Sequence, residues 1–481
     1  MAAGELGPVA AGRPPRRRHR RRRISATSSR GECVDLEQPP GKMASKKKKM
    51  ASKKRKRKAI SPAPELPDEI VAQILVRLPV KSLLRFKSVC KAWRATISDP
   101  FFTRAHLRSS AARSEQDPAF LIYPHTLYRV IEEEAWPTTF SSEIRLYQWR
   151  PGDTTATVLH GGDFGGEFSM VFWLAHCDGL VLVPTDTKLY LFNPATRDAV
   201  ALPASSRYDN GVQEEHVCWH TMGCRYIDLD REVYYSASGL GQDPRTGEYK
   251  VVRSFYHSCD IGMNICHMGM EVFTVGGSAG GDGWREIAPG PPHLVSRWET
   301  PVTVKGFMFW HMDNRHKDYQ PAHPRGILRL SLDDEAFAIA ELPASLDPAL
   351  DDEFTMGELR GELCLTARTS KTQTQCLFET VNIWAMTPTT VAMDSRWEVR
   401  YSITLCFPWF HPMALLPSGD AIVLRNGSTL YRYDLRSFEM TALCEAGQLS
   451  YQGRKPRTWR HLHQFDMCLY TESLVRLTPI D

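Results

Sequence analysis

The feature that most restricts the fold is the shortness of the apolar runs beyond residue 118. "GLVLV" (179–183), "KLYLFNP" (188–194), "YKVVRSFY" (249–256), "MEVFTV" (270–275) and "KGFMFW" (305–310) are followed by "GILRLSL" (326–332), "ELCLTA" (362–367), "VNIWAM" (381–386), "AIVLRN" (421–426) and "TLYRYDL" (429–435). Each is rich in β-branched and aromatic residues and bounded by Gly, Pro, Asp or Asn, the signature of a strand between turns. No stretch of ten residues between them has a helical period. So many short strands over some 360 residues suit repeated four-stranded blades better than one sandwich. The expectation is a mainly β chain with a β-propeller-like domain of six to eight blades over 119–481. "LYLFNPATRDAVALP", "ILRLSLDDEAFAIAELP" and "LYRYDLRSFEMTAL" are loose repeats whose spacing marks every second or third blade. Closure predicts that the C-terminal segment, with "SLVRL" (473–477) as its last strand-like piece, completes a blade beside "AFLIY" (119–123).

Residues 65–107 have a different period. In "LPDEIVAQILVRLPVKSLLRFKSVCKAWR" (66–94) Pro67 stands where a first helical turn tolerates it, and Asp68 and Glu69 favour the helix dipole. Ile70, Val71, Ile74, Leu75 and Leu78 then form one broad apolar face, and Pro79 stops the helix. A second short helix opens at Ser82, and a third is capped by Ser88, with Val89, Cys90, Trp93 and Ile97 on its stripe. "SDPFF" (98–102) ends it, and "RSSAARSEQDP" (108–118) reads as a polar linker. Three short helices this apolar bury little among themselves, so their surface needs a partner or the β domain.

These residues resemble an F-box. The Leu-Pro opening, "IL..LP", "SLLRFKSVCKAWR" and "DPFF...HL" match its pattern in order and spacing. The resemblance implies docking onto the SKP-type adaptor of a cullin–RING ubiquitin ligase. By position, Leu66, Pro67, Ile70, Ile74, Leu75, Leu78, Pro79 and Leu83 would face the adaptor, and Val89, Cys90 and Trp93 would build the junction. The β region is similar to the F-box-associated domain that follows F-boxes in plants, through "CDGLVLV", "LFNPATRDAVALP", "GLGQDPRTGEYKVVR", "EVFTVGG...WREIAP", "GELRGELCL" and "VNIWAM". It implies a domain that recognises a protein substrate and names none.

Charge separates a third region. Residues 1–58 hold 20 Lys/Arg against 4 Asp/Glu and no aromatic residue, while the rest holds 40 against 51. Such a tail has nothing to build a core from and is expected to be disordered. "KKRKRK", comprising Lys53, Lys54, Arg55, Lys56, Arg57 and Lys58, resembles a nuclear import signal and suggests an importin as partner. Without aromatics the tail could hold nucleic acid only through phosphate, blind to sequence. No apolar run is long enough to span a membrane, and the cysteines form no compact framework, pointing to an intracellular, reduced protein in nucleus and cytoplasm. Met43 or Met50 are alternative starts, and "NGS" at Asn426 reads as an unused glycosylation site.

Catalytic and metal readings are weak. His216, Cys218, His220 and Cys224 have a spacing unlike structural zinc sites, and Cys259, Cys266 and His267 read as core. His311, Asp313 and His323 share one polar loop, a poor frame for an iron triad. "GGSAGGDGW" (276–284) lacks the Gly-Lys-Ser/Thr of a phosphate loop and reads as a hairpin connection. No residue is assigned a catalytic role, and no cofactor is expected. "HMDNRHKDYQPAHPR" (311–325) is too long for a turn and too polar for a core, so His311, Arg315, His316, Tyr319, His323 and Arg325 are candidate substrate contacts. The reading is therefore a substrate receptor of a ubiquitin ligase; the alternative is a nuclear scaffold whose tail holds nucleic acid.

Overall fold

The computed structural model describes residues 66–125, 143–164, 171, 173–185, 187–205, 237–260, 265–276, 283–296, 299–313, 324–346, 354–368, 379–387, 396–405, 410–453 and 464–477. Four helices come first: α1 (Asp68–Leu75), α2 (Val80–Phe86), α3 (Lys91–Ser98) and α4 (Pro100–Gln116). Proline starts two of them, since Pro67 and Pro79 stand at the N-cap positions of α1 and α2 with extended backbone. The expected cap of α3 at Ser88 is corrected: Cys90 takes that place, its Sγ accepting from the Trp93 amide. The polar linker 108–118 is corrected too. Asp99 caps a new helix through the amides of Phe101 and Phe102, and α4 runs on to Gln116, burying His106, Ser110 and Ser114. Beyond Phe102 its buried positions are all polar, a pattern that apolar periodicity does not detect.

The strands form six sheets around a central channel. Blade 1 opens with β1 (Phe120–His125), β2 (Glu143–Trp149) and β3 (Thr155–Asp163). Blade 2 is β4 (Ala175–Cys177), β5 (Leu180–Pro184), β6 (Leu189–Asn193) and β7 (Asp198–Ala201). Blade 3 is β8 (Ser238–Gln242), β9 (Tyr249–Asp260), β10 (Ile265–Val275) and β11 (Arg285–Glu286). Blade 4 is β12 (Val302–Val304), β13 (Phe307–Trp310), β14 (Gly326–Ser331) and β15 (Phe337–Glu341). Blade 5 is β16 (Phe354–Leu359), β17 (Glu362–Arg368), β18 (Glu379–Thr387) and β19 (Arg396–Leu405). Blade 6 is β20 (His411–Leu415), β21 (Ala421–Asn426), β22 (Thr429–Asp434) and β23 (Met440–Glu445). Each is an antiparallel meander, as its short connections require.

The ring closes in blade 1. There β24 (Ser450–Tyr451) adds in parallel to the outer strand β3, and β25 (Gln464–Leu469) adds antiparallel to β1, with Phe120 opposite Leu469 and His125 opposite Gln464. The C-terminal segment thus completes a blade beside "AFLIY" as expected, through 464–469, while "SLVRL" lies outside the sheet. Residues 471–477 leave the sheet and cross onto the helices. Apolar layers fill the spaces between neighbouring blades; Trp149, Trp310 and Trp384 are each at most 2% exposed. One such layer joins Leu121 and Ile144 of blade 1 to Val181 and Phe192 of blade 2, with Cys468 of β25 between them.

The two ends of the channel differ. At the end where α4 enters β1, hairpins are tight. Asp178–Gly179, Lys305–Gly306 and Arg360–Gly361 all have positive φ, the geometry that two-residue hairpins favour. These turns touch their neighbours: the Tyr249 hydroxyl donates to Asp178 (3.0 Å) and Arg360 donates to the Leu416 carbonyl (3.4 Å). At the far end, contact runs between blades through Thr300 and Trp173, and through Thr355 and Phe410.

Candidate functional site

The helices bury one face and leave the other open. Leu75, Val80, Leu83, Ile97 and Phe102 are at most 8% exposed and form a small core with Leu474 from the chain beyond β25. Val71, Leu78, Phe86 and Trp93 pack partly against it, Phe86 and Trp93 with ring centres 5.3 Å apart. Opposite lie Leu66 (60%), Ile70 (40%) and Ile74 (47%), spaced by four along α1, with Leu84, Val89 (59%) and Phe101 (74%) also exposed. Among the described residues eight large apolar side chains are exposed, and six belong to this small unit. Such a concentration marks a surface that a partner covers.

The residues expected to face an adaptor therefore divide. Leu66, Pro67, Ile70, Ile74, Pro79, Val89 and Cys90 lie open, and Leu78 and Trp93 are half-buried. Leu75 and Leu83 are only 1% and 0% exposed and hold the unit together. The face read as one broad stripe is two: 66, 70 and 74 point out, and 71, 75 and 78 point in. Leu84 and Phe101 join the open set unforeseen, although two adjacent phenylalanines opening a helix cannot both turn inward. Arg104 lies 4.7 Å above the Phe101 ring, within cation–π range.

The second candidate surface is the channel, a cavity of about 1500 Å³ lined by the inner strands of all six blades. Leu107, Ala111, Ser114 and Glu115 of α4 line its near end, and the Ser114 hydroxyl donates to the Tyr470 carbonyl at 3.0 Å. At the far mouth His311 Nε2 meets Glu299 Oε2 at 2.8 Å and its ring stacks on Phe354, centres 4.7 Å apart. Burial pushes the Glu299 carboxyl up, but the hydrogen bond and charge of His311, with His411, outweigh it and hold it below its usual value. His411 is driven down to about 4 by burial and by Arg425. Its imidazole is neutral at neutral pH, whereas the Glu299 carboxyl stays ionised. Arg425 Nη1 stands 3.9 Å from Asp466, whose Oδ2 accepts from the Leu174 amide across the joint between blades 1 and 2.

Of the loop residues singled out as substrate contacts, His311 lines this mouth. Arg325 is half-buried and donates to the Leu346 carbonyl within the fold. Arg315, His316, Tyr319 and His323 lie outside the described residues, as do Lys53, Lys54, Arg55, Lys56, Arg57 and Lys58 and the group His216, Cys218, His220 and Cys224. Cys259 and Cys266 are opposite one another on β9 and β10, and His267 is exposed. Among the described residues no group of three His, Cys, Asp or Glu is placed to hold a metal, and no helix is long and apolar enough to cross a membrane.

Comparison with known proteins agrees with this division. An F-box-like family model matches residues 63–108, and the F-box associated beta propeller domain matches 152–410. An F-box protein of Arabidopsis thaliana is 27% identical over 347 residues, covering 71% of this chain and 69% of its own. An F-box/LRR-repeat/kelch-repeat protein of the same plant is 28% identical over 340 residues, covering 69% and 79%. Among solved structures, a nidogen/laminin complex aligns over 74% of this chain and 99% of its own at 12% identity, with a TM-score of only 0.33. With β3 to the end of blade 5 matched behind an F-box-like helical unit, the chain belongs to the plant F-box proteins that carry an F-box associated beta propeller domain.

Proposed function

We propose that the protein is a substrate-recognition subunit of an SCF-type cullin–RING ubiquitin ligase. In this reading the open face of the helices seats the SKP-type adaptor, and through it the cullin–RING scaffold. The observation that carries it is the division of apolar residues in the F-box unit. One set is consumed in anchoring the helices to the propeller, while Leu66, Ile70, Ile74, Val89 and Phe101 are 40–74% exposed. The propeller is the reader. Because α4 lines the near end of the channel, the far mouth is the approach for a protein substrate, with His311, Phe354 and His411 around it. F-box proteins are generally non-catalytic, and the chemistry belongs to the partner subunits. The basic run Lys53–Lys58 adds entry to the nucleus through an importin, with the complex active there and in the cytoplasm.

The test is capture of purified adaptor by the full chain. Wild type should bind, and Ile74→Asp, which puts a charge in the middle of the open α1 stripe, should bind at least about 30-fold more weakly. Equal binding by both would end the ligase reading. Removal of residues 1–58 should shift a fluorescent fusion from nucleus to cytoplasm and leave adaptor binding unchanged.

A further inference from the structure

Three turns at the helical end of the propeller share one design. The side-chain Oδ1 of Asn193 accepts from the amides two and three residues on, at 3.0 and 3.3 Å. Asp243 does so at 2.8 and 3.1 Å, and Asp434 at 2.9 and 3.0 Å. Each turn ends on a residue of positive φ: Arg197, Gly247 and Phe438. The turn needs only the acceptor oxygen, so Asp and Asn serve it equally. What separates them is the other edge of the side chain. Asp243 and Asp434 offer their second oxygen to Lys250 and Arg432, each at 3.0 Å. Asn193, wholly buried, instead donates through Nδ2 to two main-chain carbonyls, Ser473 at 3.1 Å and Val475 at 2.7 Å. Only an amide can be acceptor to the turn and donor to those carbonyls at once.

The segment held in this way is the one that crosses from the closing strand to the F-box. Thr471 lies so close to Gly179 that a Cβ there would come within 2.2 Å of the Thr471 carbonyl oxygen. Glu472 reaches over to accept from the Val80 amide (2.9 Å), serving as the side-chain cap that α2 lacks behind Pro79. Leu474, 4% exposed, fills the helical core beside Leu75, Val80 and Leu83. Leu477 returns to the layer between blades 2 and 3. From these contacts we propose that residues 471–477 form a strap, locked by the Asn193 amide, that fixes the orientation of the F-box unit on the propeller. Resting on the ligase reading above, the strap sets where a substrate held at the far mouth stands relative to the ubiquitin-charged enzyme carried by the scaffold. Asn193, Glu472 and Leu474 are then positioning residues. They touch neither adaptor nor substrate, yet they set the angle between them.

The test uses the full chain labelled with a donor and an acceptor dye by bioorthogonal coupling at Lys91 in α3 and Arg436 in blade 6, both exposed. Time-resolved energy transfer then gives the distribution of their distances, free and with adaptor bound. Asn193→Asp keeps the turn acceptor but loses both donated bonds and sets a carboxylate against the two carbonyls. Leu474→Asp drives the strap out of the helical core, and Leu474→Met is the conservative control. Wild type and Leu474→Met should show one narrow distribution. Asn193→Asp and Leu474→Asp should broaden it at least twofold, with adaptor affinity within threefold of wild type. In the reconstituted ligase, the propeller lysines that receive ubiquitin should widen from a restricted set to a dispersed one. If Leu474→Asp does not fold, Asn193→Asp alone decides. An unchanged width overturns the strap, and a broadened width with an unchanged set of modified lysines overturns its positioning role. Failure of the wild type to bind adaptor would sink the ligase reading alone, because the width is measured on the free chain as well.

Discussion

Trp149, Trp310 and Trp384 in the propeller are at most 2% exposed, whereas Leu66, Val89 and Phe101 in the F-box unit stand at 59–74%. Both regions are strongly apolar, so composition does not explain the contrast; geometry does. A ring of twisted sheets gives every blade a neighbour on both sides, and the inner and outer residues of each strand find a layer to enter. Three short helices and the start of a fourth offer one another a single contact layer, and whatever lies on the second face stays in water. The propeller is therefore complete in itself, and the F-box unit is complete only with a partner. The difference suggests a rule for similar chains. An exposed apolar residue in the ring is incidental, as with Val399 and Phe438, while one on the helices is an address.

Cutting the chain after residue 463 attacks the self-sufficient region. It removes β25 from the side of β1 and opens an unpaired edge along blade 1, so the expected outcome is aggregation, read as loss of the monomer peak in size-exclusion chromatography. A soluble monomer with wild-type melting would mean that the ring does not depend on closure. Leu75→Ala and Leu83→Ala strike the inward face of the helices, at about 2–5 kcal/mol each. Melting of the helical unit should fall while that of the propeller holds. Ile74→Asp strikes the outward face. It should leave melting unchanged and weaken adaptor binding by about 2 kcal/mol or more, roughly 30-fold in Kd by titration calorimetry. If Leu75→Ala and Ile74→Asp gave the same pattern, the two faces would not be distinct. Glu472→Ala removes the side-chain cap of α2 and should cost about 1 kcal/mol, a small fall in the melting of the helices alone.

The smallest effect concerns acid. His411 is held down to about 4 in the fold, below the 6.5 of an ordinary imidazole. The unfolded chain takes up a proton that the folded one refuses, so its contribution is whole above pH 6.5 and is lost as the pH falls toward 4. Thermal melting followed across that range should decline, and His411→Asn should lessen the slope. A decline of equal slope in that variant would place the sensitivity elsewhere.

Much of this division can be read in the sequence because it is written in local pattern. "CDGLVLV" announces a hairpin through Asp178–Gly179, and "LYRYDLRSFEM" a turn through Asp434, because tight turns impose their residues. The F-box unit was legible from Pro67, Pro79 and the spacing of Ile70, Ile74 and Leu78. Its two faces were not, because an inward and an outward leucine have the same chemistry and only the position of Leu474, nearly 400 residues away, tells them apart. The helix over 100–116 was missed because its buried side presents His106, Ser110 and Ser114 rather than an apolar stripe. The mouth of the channel was hidden for another reason. His311 was visible in its loop, but Phe354 and His411 belong to blades 5 and 6 and Glu299 to the segment entering β12, and only the packing of blades 4 to 6 around the channel brings them together.

The pairing of β1 with β25 also has a consequence in time. A ribosome adds roughly 5–20 residues per second, and Val80 and Glu472 are 392 positions apart. The F-box helices therefore emerge about 20–80 s before the residue that caps one of them, and Leu474, which completes their core, comes later still. Until then blade 1 lacks its inner strand, and the open apolar face is carried on helices with an unfinished interior. Newly made chains in that interval are natural clients for chaperones. A product of premature termination would carry the open apolar face on helices whose core is incomplete and with no closed ring behind it.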